Sequence, residues 1–173
     1  RRKCTYFGCE SVIGYLSVLN IKNKHIGGIL VINDLGIPVE FKYSEPVTPT
    51  KLQEIIYGSS LEYYLHTEII AKGLIQKVEN RPEFILTQDS SLLFDRNIVS
   101  VTLLPQSVPE KKEGNEAIVP LNNNSIRITF QENTKVEDTI VSKIIDFASR
   151  IDLFEPFDRV EKALEYICDS QEK

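Results

Sequence analysis

Residues 29–43, Ile29-Leu30-Val31-Ile32-Asn33-Asp34-Leu35-Gly36-Ile37-Pro38-Val39-Glu40-Phe41-Lys42-Tyr43, decide how the chain is read. An apolar run of β-branched residues, a four-residue turn closing on glycine and a second run alternating apolar with polar predict two antiparallel strands joined tightly. Upstream, Val12 to Asn20 has the β-branched and aromatic content of a mostly buried strand, and the polar Lys22 to His25 turns it into Ile26 to Ile32. Three antiparallel strands therefore follow one another.

Downstream, Glu45-Pro46-Val47-Thr48-Pro49 is a stiff connection, with Thr48 and Pro49 suited to cap and begin a helix. Leu52, Ile55 and Ile56 share one face of it, and Gly58 ends it. Ser59 and Glu62 have capping-box spacing for a second helix, whose Leu61, Leu65 and Ile69 form an i, i+4 row running to about Val78. Asn80-Arg81-Pro82 breaks that helix. Phe84 to Thr87 and Ile98 to Leu104 read as strands, separated by a connection with room for one helical turn. Residues 105–116 are polar and charged and predict a flexible loop. A hairpin across Asn122, Asn123 and Asn124 follows. Two amphipathic helices close the chain, one from a Thr134–Glu137 capping box and one from Pro156. The fold class expected is α+β: a mixed, largely antiparallel sheet of six or seven strands with helices packed on it and a C-terminal helical hairpin. The expected domain is a single one over residues 1–173, with its helical C-terminal extension at about 134–171.

Hydrophobic residues make up 42% and charged residues 26% of the 173, the balance of a chain that folds in water. No apolar run reaches the roughly 20 residues that cross a bilayer. Three cysteines are too few for a disulfide framework, and the compartment expected is the cytoplasm. The net charge of −5 is uneven: residues 1–51 carry seven Lys/Arg against four acids. Without clustered arginine, that mild basic bias reads as solvated lysines around a sheet.

Few patterns carry chemistry. Cys4 and Cys9, with His25 and His66, could in principle complete a zinc set, but the histidines lack the close spacing of a finger. Gly58-Ser59-Ser60 lacks the second glycine of a nucleophile elbow, and Gly27-Gly28 precedes a strand instead of opening a phosphate-binding helix. No cofactor signature is present. The order of three antiparallel strands, helix, strand, connection and strand resembles that of ribonuclease-H-like nucleases, which gather carboxylates around two divalent metals. On that resemblance Asp89, just past the fourth strand, would join Glu62, Glu68 and Asp34 as metal acids, yet the first strand contains no Asp or Glu.

The rigid two-proline connection also brings Glu45, Lys51 and Tyr57 into consideration as ligand- or partner-binding residues. With no catalytic residue assigned, the sequence favours a cytoplasmic binding or accessory protein acting through a protein partner or self-association. A divergent metal-dependent nuclease or phosphotransferase, with nucleic acid as partner, is the alternative.

Overall fold

The computed structural model describes residues 11–171. Its strands are β1 (Ile13–Ile21), β2 (Lys24–Ile32), β3 (Pro38–Tyr43), β4 (Ile85–Thr87), β5 (Ile98–Leu104), β6 (Lys111–Glu113), β7 (Glu116–Leu121) and β8 (Asn124–Thr129). They form one sheet in the order β3-β2-β1-β4-β5-β8-β7-β6. β1 pairs antiparallel with β2 and parallel with β4, and β4 pairs parallel with β5; the other pairs are antiparallel. The mixed α+β architecture is the one the sequence predicts.

Local chemistry fixes the turns. Lys22 and Asn23 take positive φ between β1 and β2, the backbone a two-residue hairpin needs. Between β2 and β3 the Asn33 side-chain oxygen accepts from the amides of Leu35 and Ile37, both at 3.0 Å, and Gly36 supplies a φ of 76°.

Alternation along the strands divides the core in two. Ile13 and Tyr15 of β1, Ile26, Leu30 and Ile32 of β2, and Val99 and Val101 of β5 face helices α4 (Asp138–Arg150) and α5 (Glu155–Ser170). There the buried Tyr15 hydroxyl donates to the Leu153 carbonyl at 2.8 Å, and its ring meets Phe157 edge-on. Leu16, Ile29, Val31, Ile85 and Ile98 face the opposite way, towards Ile70, Ala71 and Leu74.

That second face is covered by one continuous helical run: α1 (Lys51–Tyr57), a 3-10 turn (Gly58–Ser60), α2 (Leu61–Tyr63), a π-helix (Tyr64–Ala71) and α3 (Lys72–Lys77). The Lys72 amide bonds to the Thr67 carbonyl five residues back. The wider turn rotates the buried face away from the predicted row. Leu65, His66, Thr67, Ile70 and Ala71 point inward, while Ile69 is exposed.

Several boundaries differ from the sequence reading. The cap of α1 is Thr50, not Thr48: Thr50 Oγ1 accepts from the Gln53 amide, and Gln53 Oε1 accepts from the Thr50 amide. Ser59 and Glu62 form no capping box, since helix runs through them. Thr134 donates to the Gln131 carbonyl instead of capping α4. Residues 105–116, expected as a flexible loop, contain edge strand β6, which makes the sheet eight-stranded. The C-terminal helices complete a main core face, so they are integral to the sheet packing. Leu52, Ile55 and Ile56 of α1, at 68%, 66% and 72% exposure, are not core. Among the described residues no helix is long and apolar enough to cross a membrane.

Glu40 on β3 ties the sheet edge to the end of the helical run. Its carboxylate accepts from the Asn80 amide at 2.7 Å, the Asn80 side-chain nitrogen at 2.9 Å and the Glu79 amide at 3.0 Å. Partial burial works to raise its pKa, but the Asn80 and Glu79 donors, with Lys42 nearby, outweigh it and hold the carboxyl below its ordinary value. A depressed carboxyl stabilises the fold above its unfolded-state pKa and loses that contribution as pH falls through the folded-state value. Glu40→Ala should therefore destabilise by about 2 kcal/mol in urea denaturation at neutral pH. The gap to the unmodified chain should close on acidification; a pH-independent gap would contradict the assignment.

Candidate nucleic-acid interface

Where β4 reaches its C-terminal end, beside the middle of β1, the second core face changes from apolar to polar. Leu16 pairs with Thr87 and Thr87 with Ser100. Thr87 Oγ1 accepts from the Asp89 amide at 3.2 Å, and Asp89 Oδ1 accepts from the Ser91 amide at 2.9 Å and the Ser91 hydroxyl at 2.7 Å. Asp89 thereby caps the 3-10 turn Ser90–Leu92. From the π-helix above, Thr67 donates to the Ser91 carbonyl at 3.3 Å.

Beside this turn lies a buried imidazole pair. His25 Nδ1 and His66 Nε2 stand 2.7 Å apart, with the residues only 4% and 5% exposed. His25 is fixed by reciprocal backbone hydrogen bonds with Val47, both 2.8 Å, and His66 is carried inward by the π-helix. One ring nitrogen donates and the other accepts, which requires neutral imidazole on at least one side. Burial lowers the pKa of both rings. For His25 the neighbouring His66 lowers it further and Glu62 opposes; for His66, Glu62 and Asp89 oppose. A pair so enclosed positions the helix over the sheet; it does not present a nucleophile.

Further across the same face, alternation and register place Thr102 beside Arg127 and Ser100 beside Thr129, on β5 and β8. Thr102 is exposed, and Arg127 and Thr129 are half-buried. Arg127 Nε lies 3.1 Å from Glu116. The result is a shelf of hydroxyls with a guanidinium, continuous with the Asp89 turn. At the other end of the sheet, a cavity of about 260 Å³ is lined by Asp34, Glu83, Lys143, Asp146 and Arg150. Its charges are already matched by the Arg150–Asp34, Arg150–Asp146 and Lys143–Glu83 ion pairs.

The residues singled out in the sequence are dispersed. Asp89 and Glu62 both lie within electrostatic reach of His66. Glu68 turns outward to Lys72 at 2.8 Å, and Asp34, in the β2–β3 turn, faces Arg150 at 3.4 Å at the opposite end. Glu45 accepts from the Gln171 side chain at 3.3 Å, Lys51 pairs with Glu54 at 3.5 Å, and Tyr57 stacks on Tyr64 at 4.7 Å between centroids. No hydrogen bond or ion pair joins these three. Cys4 and Cys9 lie outside the described residues. The histidine pair was visible as the only two histidines of the chain, but their mutual contact depends on the π-helix.

A two-metal centre does not fit these donors. β1 contains no acid, and continuing its register past Thr87 brings the half-buried Val18 level with Asp89. Among the described residues no group of three or more His, Cys, Asp or Glu side chains could hold a metal ion.

No protein-family model matches the sequence, and no curated protein matches it. Solved structures do share its fold. Endonuclease V of Ciona intestinalis, in complex with a 24mer DNA containing an inosine followed by a ribo-adenosine, superposes with a TM-score of 0.54 at 12% identity, covering 93% of this chain and 87% of that one. The endonuclease V of Bacillus subtilis superposes at 0.53 with 13% identity, covering 94% and 81%. At such identity the likeness is one of fold. It nevertheless corrects the functional expectation: the reading as a protein-binding or self-associating accessory protein without chemistry gives way to the nuclease-type alternative, whose strand order the sheet reproduces.

The imidazole pair makes a pH prediction. Histidines with lowered folded-state pKa values contribute stability that is complete above the unfolded value near 6.5 and drains away as pH falls below it. His66→Gln, which keeps a hydrogen-bonding side chain but does not titrate, should lower stability at neutral pH yet flatten its decline between about pH 7 and 5. Parallel declines for both proteins would contradict the buried pair.

Proposed function

We propose that this chain acts on nucleic acid, holding a strand across the C-terminal end of β4, beside the middle of β1, and along the β5–β8 shelf. The observation that carries this reading is the sheet order β3-β2-β1-β4-β5, with β1, β4 and β5 parallel and a polar turn at Asp89 where β4 ends. In open sheets with parallel central strands, ligands lie at the carboxyl ends of those strands. The endonuclease V structures, one of them bound to DNA, support the same choice of partner. A cytoplasmic location goes with this reading.

The chemistry of the shelf suits a phosphodiester backbone. Thr102 and Thr129 offer hydroxyl donors to phosphate oxygens, and Arg127 offers a guanidinium, with Glu116 as its counterion in the free protein. A net charge of −5 supplies little long-range attraction. Affinity then rests on a few short contacts, and counterion release on binding is modest.

Inosine-containing DNA is the first probe, because the Ciona protein is bound to one. Fluorescence anisotropy with labelled single- and double-stranded DNA and RNA, with and without inosine, should show saturable binding. The slope of log affinity against log salt should lie between about −1 and −3, and Arg127→Ala should weaken binding several-fold and flatten that slope by about 1. Failure of every oligonucleotide to saturate would overturn the proposal.

A further inference from the structure

We infer that this chain binds nucleic acid without divalent metal, and that Asp89 and Glu62 act there as repulsive groups instead of metal bridges. The inference rests on the nucleic-acid reading above and concerns the electrostatics of that same site.

Two-metal phosphate chemistry needs carboxylates that converge on ions about 3.5–4 Å apart. Here the central strand offers Val18 where an acid would be required, Glu68 is held by Lys72, and Asp34 lies at the far end of the sheet. Asp89 spends its Oδ1 on the Ser91 amide and hydroxyl, which leaves Oδ2 as the one oxygen it could offer a metal, with no second carboxylate among the described residues converging on it. The imidazoles cannot substitute: His25 Nδ1 and His66 Nε2 already bond each other inside the core. What remains at the mouth of the site is the carboxylates of a half-buried Asp89 and an exposed Glu62, neither of which forms an ion pair among the described residues. A phosphate brought against them is repelled. In a metal-bridged nuclease the same carboxylates would attract the substrate through the cation.

The two arrangements differ in sign. Asp89→Asn keeps the oxygen that accepts from Ser91 while removing the charge, and Glu62→Gln does the same on an exposed helical position. Each should tighten binding of a labelled inosine-containing oligonucleotide by about two- to fivefold, the worth of one nearby surface charge. Affinity should be the same in EDTA and in manganese. Electron paramagnetic resonance of manganese titrated with the full chain should show the free-ion signal undiminished. Weaker binding by both variants, loss of binding in EDTA, or manganese uptake abolished by Asp89→Asn would each overturn the inference while leaving the nucleic-acid reading intact. Absence of binding under every condition would overturn both.

Discussion

The close approach of the π-helix to β2 is the constraint on which the candidate site depends. A Cβ at residue 27 would collide with Ile70 Cγ2 and sit 3.0 Å from Leu74 Cδ1, so only glycine allows the helix to lie this low. At that height Ile70, Ala71 and Leu74 seal against Leu16 and Ile29, and His66 meets His25 across the edge of the same contact. The π-helical turns are less favourable as isolated backbone, and the burial they achieve offsets this.

From that packing follows the character of the end of the sheet. Two buried rings share one hydrogen bond beside the Asp89 turn, and their burial lowers both pKa values. Charge is confined to the rim, at Asp89 and Glu62. Polarity continues outward along β5 and β8, where the hydroxyls of Thr102 and Thr129 flank the Arg127 guanidinium. The fold is similar to that of the endonuclease V structures, while the side chains described at the candidate site do not form a metal-bridged centre.

Much of this was legible in the sequence. The strands announced themselves because period-two alternation and turn chemistry agree: Asn33 and Gly36 at one hairpin, the asparagines at another. The missing acid in β1 was also legible. It bears directly on metal chemistry, although its weight came only with the register that sets Val18 level with Asp89. What escaped had physical causes. A row drawn at 3.6 residues per turn selects Leu61, Leu65 and Ile69, whereas five-residue hydrogen bonding buries Leu65 and Ile70. Strand β6 is exposed on both sides, so Lys111, Lys112 and Glu113 show no alternation to read. The apolar face of α1 looks like core in sequence, since nothing local distinguishes a face that packs from one that does not. The contact of two histidines 41 residues apart depends on packing that no spacing rule encodes.

The most direct test of the proposed nucleic-acid interface is a residue-resolved one. Nitrogen-15 amide shifts of the full chain, followed during titration with an oligonucleotide, should move at Asp89 to Ser91, at Thr102, and at Arg127 to Thr129. They should stay fixed around Asp34, Asp146 and Arg150 at the opposite end of the sheet. Shifts confined to that opposite end, or none at saturating oligonucleotide, would contradict the placement of the interface.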